Sequence, residues 1–244
     1  MRGCGWWLWL GLLLGVPVAR AGDAPPSEIR VASEVWEGHT EADGTGLAWD
    51  ILRLVYEPVG VRLQIQSVPY TRSIGLVRRG EADAWTGSYR DEVDEGVFYP
   101  RWHYDRDQVS ALGLASTAVP TPATLKDFRL VWVRGYRYQL YLPNLTHYRE
   151  IERRSGILAM LSQGHADFYL DARTEVEQLL RSKADLTTYR VTDLLALPLF
   201  FGFSDNERGH TLAAIFDQRM DALVKDGSLR PLFARWQQPY PFDK

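Results

Sequence analysis

The residues that could do chemistry are few and scattered. Five histidines, His39, His103, His147, His165 and His210, show no spacing such as His-Glu-x-x-His, so the sequence encodes no metal site. The single cysteine, Cys4, precedes an apolar run and leaves no thiol or cysteine-metal chemistry to the rest of the chain. Neither a Gly-x-Ser-x-Gly elbow nor a phosphate loop occurs, so serine-hydrolase and nucleotide-hydrolase chemistry have no support and no cofactor is expected. Asn144-Leu145-Thr146 matches a glycosylation sequon by letter alone. Lys plus Arg is 28 against 31 Asp plus Glu, a formal charge of -3, and no stretch concentrates basic residues. A phosphate backbone is therefore excluded as the partner, and nucleic acid with it.

The N-terminal segment, residues 1–21, is expected to be removed. Arg2 is followed by the apolar stretch Gly5 to Val18, too short to span a bilayer, and then by Ala19-Arg20-Ala21, with small residues where a signal peptidase reads them. The sequence turns polar at Gly22-Asp23-Ala24-Pro25-Pro26. This pattern predicts a secretory signal cleaved after Ala21 and a cysteine-free mature chain from Gly22. Without disulfides, a secreted chain of this size must be held by its apolar core, which suits a bacterial periplasm.

The elements that would position a site alternate between strands and amphipathic helices, which predicts an α/β class. Glu28 to Ser33 reads as a buried strand, Leu47 to Val59 as a helix after the turn Asp43-Gly44-Thr45-Gly46, and Val61, Leu63 and Ile65 as an alternating strand. A helix from about Pro69 to Arg79 stops at Gly80 before the strand Ala82 to Thr86. A second series follows: strands at Val109–Ala115 and Leu130–Val133, a helix Gly156–Ser162, a strand Ala166–Leu170, and a helix from Arg173 to Arg181 with Asp171 near its start as a cap. Both series contain helix, Gly, small residue, Asp, strand: Gly80-Glu81-Ala82-Asp83 and Gly164-His165-Ala166-Asp167. Two similar lobes are the economical reading. A strand Leu197–Phe203, a long helix His210–Val224, a short helix Leu229–Trp236 and a Pro-rich tail complete the chain.

The order of these signals resembles the family 3 extracellular solute-binding proteins of polar amino acid uptake. It is carried by Gly44-Thr45-Gly46 before Asp50-Ile51-Leu52, Val68-Pro69-Tyr70-Thr71-Arg72 before Gly80-Glu81-Ala82-Asp83-Ala84, and Met220 to Leu229 ending at Trp236. The resemblance implies a bilobal periplasmic-binding-protein, or Venus-flytrap, fold of two α/β lobes with two hinge crossings. Residues 22–109 would open the first lobe, 110–202 form the second and 203–244 complete the first. It further implies a monomer that closes on a small polar, amino-acid-like ligand and meets an inner-membrane permease or sensor, with no enzymatic activity.

What the resemblance implies for the site is uneven. Trp36 and Tyr70 fall near the pocket aromatics, and Glu34 falls at an acidic position that often faces the cleft. Gly87, Ser88 and Tyr136 are further pocket candidates. Asp171 stands where an aspartate commonly holds a ligand ammonium, although it reads equally as a plain helix cap. The departure is in Trp85 to Gly96, shorter and more acidic than the stretch in which relatives carry a carboxylate-clamping arginine. Arg90 or Arg72 could take over the clamp. A sensor on the same fold stays open, as does, further off, a cleft dehydratase using Glu34, Asp171 and Glu175.

Overall fold

The computed structural model describes residues 26–181 and 187–243. The apolar N-terminal stretch and the expected cleavage after Ala21 lie outside the described residues. No described helix is long and apolar enough to cross a membrane.

The first half of the fold is a parallel sheet with helices against it. Strand β1 (Glu28–Ser33) pairs in parallel with β2 (Arg62–Ser67) on one side and β3 (Ala84–Tyr89) on the other. Helix α1 (Leu47–Tyr56) buries Leu47, Trp49, Ile51, Leu52, Val55 and Tyr56. It ends four residues before the helical period breaks down at Gly60, because Pro58 cannot donate a helical hydrogen bond, and Glu57–Val59 tighten into a 3-10 turn. Helix α2 (Tyr70–Arg78) starts after Pro69, as expected.

The second half repeats this plan. Strand β6 (Leu130–Val133) pairs in parallel with β7 (Tyr148–Ile151) and β8 (Phe168–Ala172), and helices α3 (Ile157–Ser162) and α4 (Arg173–Arg181) follow β7 and β8. The two halves are joined by β5 (Asp105–Leu114) and the sixteen-residue β9 (Tyr189–Ser204), with the two-residue β4 (Val97–Phe98) added beside β9. The resulting order is β2-β1-β3-β9-β5-β8-β6-β7. Along β9, residues 189–199 pair antiparallel with β5, and residues 199–203 pair antiparallel with β3. Each half thus has a parallel trio, closed by one strand of the antiparallel pair that crosses between halves.

The pairing register of β5 and β9 breaks between Val109 and Ser110, where Leu194 is the extra residue on β9. A bulge bends the strand and weakens the ladder locally. After β9 the chain returns to the first half: α5 (Glu207–Asp226) is capped by Asn206, which accepts from the Gly209 N–H at 2.8 Å, and Tyr56 of α1 donates to the Leu212 carbonyl at 2.8 Å. Helix α6 (Arg230–Arg235) packs against α1 as well. Gly202 of β9 lies directly under the Trp85 indole, where a Cβ would come within 2.0 Å of the ring, so only glycine allows this strand pairing.

The internal repeat seen in the sequence has a common structural cause. Asp83 accepts from the backbone N–H of Arg30 at 2.8 Å and from its guanidinium Nε and Nη2, while Arg30 also donates to the Gly80 carbonyl. In the second half, Asp167 accepts from the Arg129 N–H at 2.7 Å and from its Nε and Nη2, and Arg129 donates to the Gly164 carbonyl. In both halves one Asp-Arg fork ties the Gly turn and the strand after it to the neighbouring strand. The first fork is buried further, because Arg208 of α5 also reaches Asp83 at 2.9 Å. Burial works against the charged Asp83 carboxylate, but Arg30 and Arg208 outweigh it and hold its pKa below the ordinary range.

Asp83→Asn should therefore destabilise the protein by about 3 kcal/mol at neutral pH, since it leaves two arginines facing a neutral buried group. Because the folded carboxylate is depressed, its contribution is complete above the ordinary aspartate range and disappears as pH falls through the folded value. Urea titrations at a series of pH values from 7 downward should show a constant difference between wild type and variant at and above neutrality that shrinks once the pH falls below the ordinary aspartate range. Asp167→Asn, at the more exposed fork, should cost markedly less.

Candidate functional site

The two halves face each other across a cavity whose wall is built from both. From the first half come Ser33, Glu34, Trp36 and Thr40 after β1, Tyr70 at the start of α2, Thr86, Gly87 and Tyr89 of β3, and Glu92. Asp107 of β5 and Leu199 of β9 form the floor, and Tyr136, Tyr138, Arg154, Asp171, Ala172 and Glu175 come from the second half. The wall coincides with the C-terminal ends of β1, β3 and β8, where open α/β sheets expose ligand-binding groups.

Local structure places these groups. The segment after β1 folds back through a Trp36–Thr40 bridge, and the Thr40 hydroxyl donates to the Glu34 carbonyl at 2.8 Å. Trp36 stacks on His39 with centroids 3.8 Å apart, and His39 Nε2 lies 3.3 Å from the Asp105 carboxylate. Burial opposes a charged His39, but its bond to Asp105 prevails and raises its pKa. Gly87 has a φ of +80° where β3 slips its register against β9 between Trp85 and Ser88. This bulge suits glycine and turns the end of β3 toward the cavity.

A chain of polar contacts crosses the cavity. The Tyr136 hydroxyl donates to Glu34 Oε1 at 2.8 Å and accepts from Arg154 Nη2 at 2.5 Å. Arg154 Nε lies 2.8 Å from Asp171 Oδ2 and 3.1 Å from Glu175 Oε2. Asp171 also accepts from the Tyr169 hydroxyl and, at 2.8 Å, from the Ala172 N–H. Trp36 Nε1 donates to Thr174 Oγ1 at 3.1 Å and adds a second link between the halves. Five carboxylates, Glu34, Glu92, Asp107, Asp171 and Glu175, share the wall with one guanidinium, Arg154.

That imbalance moves proton affinities. Burial pushes Glu175 up to about 7 against the pull of Arg154, and it raises Glu34 despite Arg154 and the Tyr136 bond. Asp107, buried and hydrogen-bonded by the Tyr89 hydroxyl at 2.5 Å, is pushed up to about 7, and Glu92 up to about 8 by burial in spite of three donors. Burial opposes the Arg154 charge, yet Asp171, Tyr136 and Glu175 outweigh it and raise its pKa. Such a cleft can bind charged groups and exchange protons near neutrality.

Of the residues singled out from the sequence, the structure brings Glu34, Trp36, Tyr70, Gly87, Tyr136 and Asp171 to one cavity wall. Three stand elsewhere. Arg72 is exposed on α2, away from the wall. Arg90 is exposed, with its guanidinium 4.2 Å above the Phe200 ring and Nη2 donating to the Pro100 carbonyl at 2.7 Å, so neither arginine lines the cavity. Ser88 is buried behind the wall, its hydroxyl donating to Glu92 Oε2 at 2.9 Å. Asp171 is also no helix cap, since it belongs to β8 and spends its oxygens on Arg154, Tyr169 and Ala172.

Sequence reasoning did not reach Arg154, Glu92, Asp107 or Tyr138. Arg154 lies in the turn before α3, where Arg153-Arg154-Ser155-Gly156 looks like an ordinary solvated entry to a short helix. Asp107 was readable in principle: Asp105 and Asp107 share a face of β5 with Val109, and two buried charges leading into an apolar strand are unusual.

No known family profile matches the sequence, and no curated protein does. Solved structures do. The substrate-binding protein of an amino acid ABC transporter superposes with a TM-score of 0.67 at 14% identity, covering 86% of this chain and 98% of its own. A histidine kinase sensor domain similar to periplasmic binding proteins gives 0.70 at 15%, covering 86% and 96%. An ancestral amino-acid-binding protein, a precursor of cyclohexadienyl dehydratase, gives 0.63 at 16%, covering 86% and 95%. These likenesses establish the bilobal α/β fold.

The Arg154 cluster has a measurable consequence. Arg154→Gln leaves Asp171 and Glu175 buried without their counter-charge, and it should cost about 3 kcal/mol at pH 7.5. Glu175, pushed up to about 7 even with Arg154 beside it, then binds its proton still more tightly in the folded state, so the variant gains stability relative to wild type as pH falls. Denaturant titrations at pH 7.5 and 5.5 should show the deficit shrinking at the lower pH; an equal deficit at both would show that Arg154 is not the counter-charge of Glu175.

Proposed function

We propose that this chain is a periplasmic solute-binding protein that captures a small polar, amino-acid-like molecule between its two lobes and presents the closed form to a membrane partner. The observation that carries this reading is the wall itself: Glu34 and Trp36 of the first half reach Tyr136, Arg154 and Thr174 of the second across one cavity. Such a site is complete only when the halves are together, so a ligand that touches both shifts the balance toward closure by the contacts it adds. The crossing strands β5 and β9, with their register break beside Val109, supply the hinge.

The lobes divide near residues 109 and 203, and the wall residues Glu34, Trp36, Tyr70, Gly87, Tyr136 and Asp171 are the proposed ligand contacts. An amino acid ABC transporter substrate-binding protein and a histidine kinase sensor domain share the fold, so the partner is an uptake permease or a membrane sensor. The wall offers carboxylates, hydroxyls and aromatic faces in the manner of a recognition site; holding a ligand needs nothing more. The chain acts as a monomer, and its reading as a binding protein makes it no enzyme.

Purified Gly22–Lys244 should gain thermal stability with some member of a panel of amino acids, polyamines, organic acids and small sugars, since binding to the native state alone raises the melting temperature. Saturation should shrink the radius of gyration in small-angle scattering, and the ligand should be recovered unchanged in mass. Consumption of the ligand would replace the binding reading with an enzymatic one, and silence across the panel would overturn it.

A further inference from the structure

Glu92 is the wall residue whose hydrogen bonding is lopsided. Its Oε2 accepts three bonds, from the Tyr70 hydroxyl at 2.7 Å, the Ser88 hydroxyl at 2.9 Å and the Tyr89 N–H at 3.1 Å. Its Oε1 is buried with no partner. The residue is 1% exposed, so water does not serve that oxygen from bulk. A buried acceptor left unmade costs on the order of 1–3 kcal/mol, and three donors converging on the other oxygen hold the carboxylate rigidly in that pose.

The charges around it decide what could complete the set. Tyr70 comes from α2, Ser88 and Tyr89 from β3, and Tyr99 lies behind Ser88 at 3.0 Å. Across from it, the Arg137 guanidinium is spent on the Glu92 carbonyl and on Asp94, at 3.3 Å. Asp91 is the neighbouring like charge, and Asp107 stands beyond Tyr89. No arginine of the first half lines the cavity, and Arg154 is already bound to Asp171, Glu175 and Tyr136. A ligand carboxylate brought to this end would meet carboxylates.

We propose that Glu92 is a specificity-determining contact, and that the ligand presents a cationic N–H donor, an ammonium or amidinium, to Glu92 Oε1. The inference rests on the binding-protein reading and names its ligand class: an amine, or a molecule whose amine end enters the first lobe. Because Glu92 holds its proton to about 8 without the ligand, capturing a cation there expels that proton. Binding then tightens as pH rises through neutrality, while burial in the free protein keeps the site neutral.

The test is calorimetry with three probes of similar length, 1,4-diaminobutane, L-ornithine and glutarate, on wild type and Glu92→Gln. The variant keeps a carbonyl oxygen for Tyr70, Ser88 and Tyr89 and replaces the acceptor by an N–H donor. At least one amine probe should bind wild type, tighten by about tenfold or more between pH 6 and pH 8 with proton release, and weaken by about tenfold or more in the variant. Should the variant fail to fold, Glu92→Asp, which withdraws the carboxylate by one methylene, takes its place with the same loss of amine affinity expected. Amine binding unmoved by the substitution, amine binding that is flat with pH, or glutarate as the sole binder would each overturn the assignment. A hit only among the wider panel's acids or sugars would overturn it and leave the binding-protein reading standing, whereas silence of the entire panel would remove both.

Discussion

Everything at the centre of this molecule depends on how a cluster of buried carboxylates is balanced. Five of them line one cavity with a single guanidinium, and ionised carboxylates removed from water need a counter-charge, several donors or a proton. The structure uses all three. Asp171 takes Arg154 and two further donors, Asp107 takes a tyrosine hydroxyl, and Glu92 takes three donors on one oxygen. Arg154 is the pivot, because the tyrosine that it holds also holds Glu34 of the opposite half.

The hinge and the cavity are therefore one mechanical system. The long antiparallel pair β5–β9 gives the halves a common spine, and the register break at Val109 lets that spine bend close to the cavity floor, where Asp107 sits two residues earlier. The halves meet through polar contacts, among them Trp36 to Thr174, Glu34 to Tyr136, Arg137 to the Glu92 carbonyl and to Asp94, Tyr141 to the Arg90 carbonyl and the exposed Arg181–Glu37 pair. Tyrosine rings pack across the same gap, the buried Tyr70 edge-on to Tyr136 and the buried Tyr89 against Tyr138 and Tyr141.

The fold was far more legible than the site. Local signals fix β1, α1, α2, β6 and α4 to within a few residues, since each carries a clear apolar period or a Gly or Pro stop. The repeat at Gly80 and Gly164 was visible because the Asp-Arg fork needs the same residue types twice. Strands β4 and β7 left no signal: one has two residues, the other is half exposed at a sheet edge without alternation. The start of β5 was hidden because Asp105 pairs with a buried His39 and Asp107 faces the cavity, and much of β9 because its first half is only partly buried and carries Arg190, Thr192 and Asp193 among apolar residues. Site residues beside β1 and α2, such as Trp36 and Tyr70, follow from family resemblance; Arg154 and Asp107 come together only through the three-dimensional fold. Arg90, picked out for standing four residues after Thr86, lies instead with its guanidinium over the Phe200 ring, away from the wall.

The raised proton affinities bear on whether this cleft binds or catalyses. Glu175, Asp107 and Glu92 sit near or above neutrality, a range that would suit a general acid. Yet each is perturbed first by burial, and their hydrogen-bond partners are tyrosine and serine hydroxyls, a backbone N–H and one arginine, with no histidine on the wall to shuttle protons. A proton held by burial can leave when a cation arrives, keeping the buried charge nearly constant between the two states. Such an exchange leaves no unbalanced charge buried in either state. The same carboxylates would serve catalysis only with a reacting bond placed between them, so the raised proton affinities by themselves do not make the cleft an active site.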